Sequence, residues 1–140
     1  MKAVLFILIL MTMLFSKEVV IVNVETVDTI SRSDIKKIYL SKKRWWSDGR
    51  KIRVVSYFND KVGNNFTTNY LNRSLSQVIL YWKQLMFTGR ASMPIEVKHS
   101  DDMIKAIVEN RDAIGYIDES LIDSLPVDIR VLSFETDKND

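Results

Sequence analysis

The amino-acid sequence predicts an α/β domain: about five strands in a largely parallel or mixed sheet, with helices on both faces. Three observations carry this expectation along the 140-residue chain. Short β-branched runs recur, segments with apolar residues at helical spacing separate them, and turn or capping residues stand at the junctions. A crossover helix has to pack back onto the sheet it left, so strands that alternate with helices imply a sheet covered on both sides.

Glu18–Val24 is β-branched and apolar and fits a buried first strand. Ser31-Arg32-Ser33-Asp34 has the spacing of a capping box, Ile30 and Ile35 sit where a hydrophobic staple would lie, and Ile35, Ile38 and Tyr39 form one apolar helix face. Ser41–Arg50 breaks the pattern, and Ser47-Asp48-Gly49 is turn chemistry. Ile52–Tyr57 reads as the second strand. Val62, Phe66 and Tyr70 recur every four residues, and Leu75, Val78, Ile79, Trp82, Leu85 and Met86 repeat at helical spacing. Two helices are therefore expected back to back, with a break near Asn72–Ser74. Ile95–Val97 is a short strand. Ser100 is expected to cap the next helix, with Asp101 and Asp102 in its first turn and Met103, Ile104, Ile107 and Val108 on its buried face. Ala113–Ile117, with Gly115 inside it, is a strand that needs close backbone approach, and Gly89 completes the turn after the long helix. Asp118–Leu125 is a short helix ended by Pro126, and Ile129–Phe134 is the last strand.

Met1-Lys2 followed by the uncharged run Ala3–Phe15 has the basic start and apolar middle of a secretory signal. The run is shorter than the roughly 20 residues of a membrane helix. Small Ser16 before Lys17-Glu18 marks a cleavage point, which divides the chain into a signal peptide (1–16), one domain (17–135) and a polar tail (136–140). An uncleaved anchor is the alternative; after cleavage no transmembrane span is expected. The absence of cysteine excludes a disulfide framework, a thiol nucleophile and a cysteine-linked lipid, so the expected location is periplasmic or secreted. His99 is the only histidine and has no acid or cysteine pattern at metal-ligand spacing beside it. It is expected at the surface, and neither a metal, a cofactor nor an enzymatic triad is expected.

Net charge is only +2, but it is unevenly spread. Lys36, Lys37, Lys42, Lys43, Arg44, Arg50, Lys51 and Arg53 face a single acid, Asp48, within one stretch, whereas the chain beyond Ile95 is rich in Asp and Glu.

Particular residues carry a family resemblance. Ile38-Tyr39-Leu40-Ser41 leads to Trp46-Ser47-Asp48-Gly49. Tyr81-Trp82, Phe87-Thr88-Gly89-Arg90 with Pro94, and Ala113-Ile114-Gly115-Tyr116-Ile117 follow in order. Together they resemble small single-lobe proteins of the phosphate ABC transporter substrate-binding family. The resemblance implies a single lobe of the type II periplasmic binding-protein fold and a non-catalytic solute-binding role. Two-lobed members of that family hold phosphate between the lobes, partly through a Ser-Gly-Thr at a helix start. Here Lys61-Val62-Gly63 stands roughly where that tripeptide would fall.

The expected ligand, a small oxyanion such as phosphate, is therefore assigned to the helix start around Lys61, Gly63, Asn64, Asn65 and Thr67, where unpaired N–H groups and the helix dipole favour negative charge. The rival reading is an ordinary helix start in which Asp60 is the cap and takes the anion's place. The basic segment with Trp45 and Trp46 has the composition of a nucleic-acid surface, which export argues against. Anionic envelope polymers, an acidic protein surface or plain solvent exposure fit it better. One of the two tryptophans should face the core if the segment is extended, and Trp82 should pack inside. Arg90 either meets an anion from its turn or is solvated. A homodimer could complete the cleft that one lobe lacks. The alternative function is an envelope protein–protein interaction scaffold that has kept the lobe and lost the ligand site.

Overall fold

The computed structural model describes residues 17–134. The expected signal peptide and the polar tail lie outside the described residues. Five strands form one sheet: β1 (Glu18–Asn23), β2 (Arg53–Tyr57), β3 (Ile95–Val97), β4 (Ala113–Asp118) and β5 (Ile129–Val131). Their order is β3-β2-β4-β1-β5. β2 runs parallel to β3 and β4, whereas β1 is antiparallel to both β4 and β5, so the sheet is mixed. Register pairs Glu18 with Asp118 at one end of β1 and Asn23 with Ile129 at the other. Val20, Ile21 and Val22 are all buried because β1 lies inside the sheet and both of its faces are covered.

Helix α1 (Arg32–Tyr39) begins with the capping box the spacing predicts: Ser31 Oγ accepts the Asp34 N–H at 3.1 Å, and the Asp34 carboxylate accepts the Ser31 N–H at 3.0 Å. It stops in a Schellman turn, with the Ser41 N–H donating to the Ile38 carbonyl and the Lys42 N–H to that of Lys37. Ser41 takes the left-handed position usual for glycine there, at φ 58°. Helix α2 (Lys61–Phe66) continues into a π-turn (Thr67–Leu71) that ends at left-handed Asn72. Ser74 and Gln77 then open α3 (Leu75–Phe87) with a second capping box, which places the expected break where Asn72–Ser74 stood.

Helix α4 (Ser100–Glu109) starts one residue earlier than expected. His99, not Ser100, is its N-cap and makes no side-chain capping bond; Ser100 is already helical, and the first-turn acids Asp101 and Asp102 supply the favourable charge. The short helix after β4 is a 3₁₀ stretch (Glu119–Ser124) capped by Asp118. β5 ends at Val131, three residues before Phe134.

The two faces of the sheet are built differently. Gly115 faces α4, where a Cβ would collide with Met103 and would stand 3.2 Å from Ile107 Cδ1. Its neighbour Tyr116 therefore points to the other face, as alternation along a strand requires. There it stacks on Phe66 at 3.8 Å between ring centroids and meets Tyr39 and Tyr57 edge-on. Each buried hydroxyl has a partner. Tyr39 donates to the Val55 carbonyl at 2.9 Å, and Tyr116 Oη bonds Ser56 Oγ at 2.9 Å and accepts the Tyr57 N–H at 3.1 Å. Burial pushes the Tyr116 phenol up to about 12. α3 closes this side, with the Trp82 indole N–H donating to the Tyr39 carbonyl at 2.9 Å.

Candidate functional site

The loop after β2 and the start of α2 lie at the carboxyl end of the parallel strands, where ligands of open α/β sheets bind. Asp60 is the N-cap, and its carboxylate accepts the Val62 N–H at 3.0 Å. Lys61 is exposed and projects from the first turn. Gly63 is buried against the preceding strand: a Cβ there would stand 2.6 Å from the Tyr57 carbonyl oxygen. Asn64 is exposed, and its Oδ1 accepts the Leu75 N–H at 3.3 Å. Asn65 lies beside the Glu18 carboxylate and favours its charged form. Thr67 is buried and donates to the Asn64 carbonyl at 3.2 Å.

The five expected ligand residues thus divide by direction. Lys61 and Asn64 face solvent, Asn65 is turned toward Glu18, and Gly63 and Thr67 are packed inside. Gly63 lets α2 approach β2, which is a packing task.

Acids gather at this end of the sheet. The Tyr57 phenol is held far above its usual range, first by burial and then by the negative charges of Asp60, Asp102 and Asp101. Glu18, at the start of β1 opposite Asp118, is only 3% exposed. Desolvation raises its carboxyl pKa; its own backbone N–H and the side chains of Asn65 and Asn69 work against that rise, and Asp118 adds to it. Asn69 Nδ2 donates to Glu18 Oε2 at 3.4 Å, while Oε1 is buried without a hydrogen-bond partner among the described residues. Sequence reasoning missed this group, because Glu18 opens an apolar run whose pattern says nothing about the one charged member.

The basic segment folds as a tied hairpin at the opposite end. Trp45 bridges to Lys51, the Trp46 N–H donates to the Arg50 carbonyl at 2.8 Å, and the Ile52 N–H to that of Arg44 at 2.8 Å. The two tryptophans part as alternation predicts: Trp46 is 2% exposed and its indole donates to the Asp112 carbonyl at 3.0 Å, whereas Trp45 is 57% exposed. Asp28 accepts both the Ser47 N–H and its hydroxyl, at 2.9 and 2.8 Å. Arg50 is held between Asp48 at 2.6 Å and Asp112 at 2.7 Å. His99 is exposed, and among the described residues no group of three or more His, Cys, Asp or Glu is placed to hold a metal ion.

No protein-family model matches the chain, and no curated protein matches it in sequence. Solved structures do match. An ABC-type phosphate transport receptor from Vibrio cholerae superposes with a TM-score of 0.61 at 20% identity, over 85% of this chain and 46% of its own. PstS from Borrelia burgdorferi gives 0.60 at 16% identity, over 86% and 48%. A Clostridium perfringens protein described as a phosphate ABC transporter substrate-binding protein, solved with bound phosphate, gives 0.60 at 18% identity, over 85% and 45%. At such identities the shared property is the fold. This chain spans slightly less than half the length of each, so the likeness is to a single lobe, as the sequence resemblance implies. No helix among the described residues is long and apolar enough to cross a membrane.

Proposed function

We propose that this chain is a solute-binding module that takes a small oxyanion, phosphate foremost, by equilibrium binding and without catalysis. The observation that carries the reading is the single-lobe fold shared with a protein whose structure holds phosphate. The reading also makes the chain an exported protein, periplasmic or secreted, with residues 1–16 as its signal.

Within the lobe, the contacts assigned to the oxyanion narrow to Lys61 and Asn64, the two residues of the α2 start that face solvent. Gly63 and Thr67 hold the loop in place, and Asn65 lies beside Glu18. Two features keep the affinity low. A single lobe by itself presents an open site rather than an enclosed one, and Asp60 places a carboxylate beside the anion. Affinity near 1 mM, about 4 kcal/mol, is the expected scale.

Calorimetric titration of residues 17–140 with phosphate, with sulfate as the specificity control, tests the reading. Saturable phosphate binding is expected, lost in Lys61→Ala/Asn64→Ala. Asp60→Asn should tighten it severalfold, because asparagine caps a helix about as well as aspartate while the repelling charge is gone. Phosphate binding that is absent in both the natural chain and Asp60→Asn overturns the reading.

A further inference from the structure

A second feature lies at the far end of the sheet and goes beyond that reading. The amino ends of the three parallel strands, marked by Arg53 of β2, Ile95 of β3 and Asp112 just before β4, border a cleft of about 320 Å³. Five cations line it: Lys43 and Arg44 from the loop after α1, Lys51 and Arg53 from the hairpin and β2, and Arg90 from the turn after α3. Four of them come from the two arms of the basic hairpin, and the fifth, Arg90, comes from a turn elsewhere in the chain. Arg90 stands far outside the basic run in sequence, and only the fold brings it to the same cleft.

Within the lining the cations face little opposing charge, although Lys43 also interacts with Asp34 at the start of α1. Asp112 is the only acid lining the cleft, and it is engaged by Arg50 at 2.7 Å and Arg111 at 3.9 Å. None of the five lining cations is in an ion pair among the described residues. Gathering like charges around one concavity raises its positive potential and draws anions to it. The walls are also built in advance. The hairpin is fixed by Asp28 and by the Trp46 indole, and Arg44 Nε is oriented by the Ser41 carbonyl at 3.0 Å. Trp82 has its indole N–H committed to Tyr39 and offers the cleft only its apolar ring.

We propose that this cleft binds a small anion bearing two or more adjacent phosphoryl groups. Its volume falls at the lower end of small-molecule pockets, roughly 300–1,000 Å³. Phosphoryl groups carry up to about two negative charges each, more than a carboxylate, so a short oligophosphate concentrates charge on the scale that five cations require. The three guanidinium groups can engage phosphoryl oxygens bidentately, and the two lysines act as point charges. Adjacent phosphoryl groups occur in inorganic oligophosphates and in nucleotides. Trp82 and Pro94 also line the cleft and form an apolar floor against which the organic body of a nucleotide, absent from an inorganic oligophosphate, packs.

The test is calorimetric titration at physiological ionic strength with inorganic tripolyphosphate, adenosine triphosphate and orthophosphate as probes. Saturable binding of tripolyphosphate is expected at about tenfold or more above orthophosphate, lost by a similar factor in Arg53→Gln/Arg90→Gln with the thermal unfolding midpoint unchanged. Both arginines are exposed, so the variant should keep its fold. The control Lys98→Gln/Lys105→Gln removes the same charge elsewhere and should bind as the natural chain does. Adenosine triphosphate tighter than tripolyphosphate assigns the floor to an organic body, and equal affinity assigns the site to inorganic oligophosphate; both support the cleft. Equal losses in the cleft and control variants mean diffuse charge attraction and overturn it, as does non-saturable binding. Because Lys61→Ala/Asn64→Ala leaves the cleft untouched, failure here and failure of the oxyanion reading at α2 are distinguishable.

Discussion

Glu18 occupies the first position of β1 with one carboxylate oxygen buried and unpartnered, which is a costly way to hold a charge. Burial raises its pKa above the ordinary 4.5. The folded chain therefore binds this proton more readily than the unfolded chain. The contribution to stability is fully present below about 4.5 and is lost as pH rises through the raised folded value. Glu18→Gln removes the charge and keeps an oxygen for Asn69. The variant should be more stable than the natural chain at pH 7 by about 1 kcal/mol, with the difference vanishing below pH 4.5. Urea midpoints measured across that window check it. A variant less stable than the natural chain at pH 7 would mean that the carboxylate serves the fold as an anion. Gly63 is the other residue whose role is set by one contact. A glycine in the expected ligand loop reads from sequence as a place where a backbone meets an anion. In the fold the close approach is to the Tyr57 carbonyl instead.

Among the elements, α1 shows how much of the fold is legible beforehand. Ser31, Asp34 and the Ile35–Ile38–Tyr39 face are local signals, and the helix forms where they stand. Ser31→Ala should cost about 1 kcal/mol, read as a lower urea midpoint with an unchanged slope, because the lost bond belongs to the native state alone. The strands were legible for the same reason: β-branched runs carry their own period, and Ile95–Val97 lies where its pattern predicts. The elements less well anticipated depend on partners distant in sequence. The π-turn at Thr67–Leu71 bends the chain so that Tyr70 stacks on Phe66 at 4.8 Å and its hydroxyl donates to the Glu18 carbonyl at 3.0 Å. β5 pairs with β1 over Ile129–Val131, and the last bond to β1 comes one residue later, where the Leu132 N–H donates to the Val20 carbonyl at 2.9 Å. The candidate sites divide likewise. The α2 start could be named from the motif order alone, whereas Arg90 and Lys43 share a cleft only after the strands between them are paired.

At the scale of the whole molecule, topology makes β1 the keystone. It comes first among the described elements, yet it lies between β4 and β5, so the start of the domain is held by its end. Both faces of the sheet depend on that insertion. α4 packs on Gly115 from one side and the aromatic cluster of Tyr39, Phe66 and Tyr116 packs on the other, with β4 shared between them. Removing β1 strips one edge of β4 of its hydrogen-bonding partner, uncovers the apolar side chains of Val20, Ile21 and Val22, and leaves β5 without a partner strand. The domain should accordingly unfold in one cooperative step. Tryptophan fluorescence reports Trp46 at the hairpin and Trp82 on α3, and far-UV circular dichroism reports the backbone as a whole; their urea transitions should coincide. A fluorescence transition that precedes the loss of dichroism would mean that the hairpin and α3 form a separate unit. The cleft between them would then be a mobile seam, and its five cations would not be held in advance for an anion.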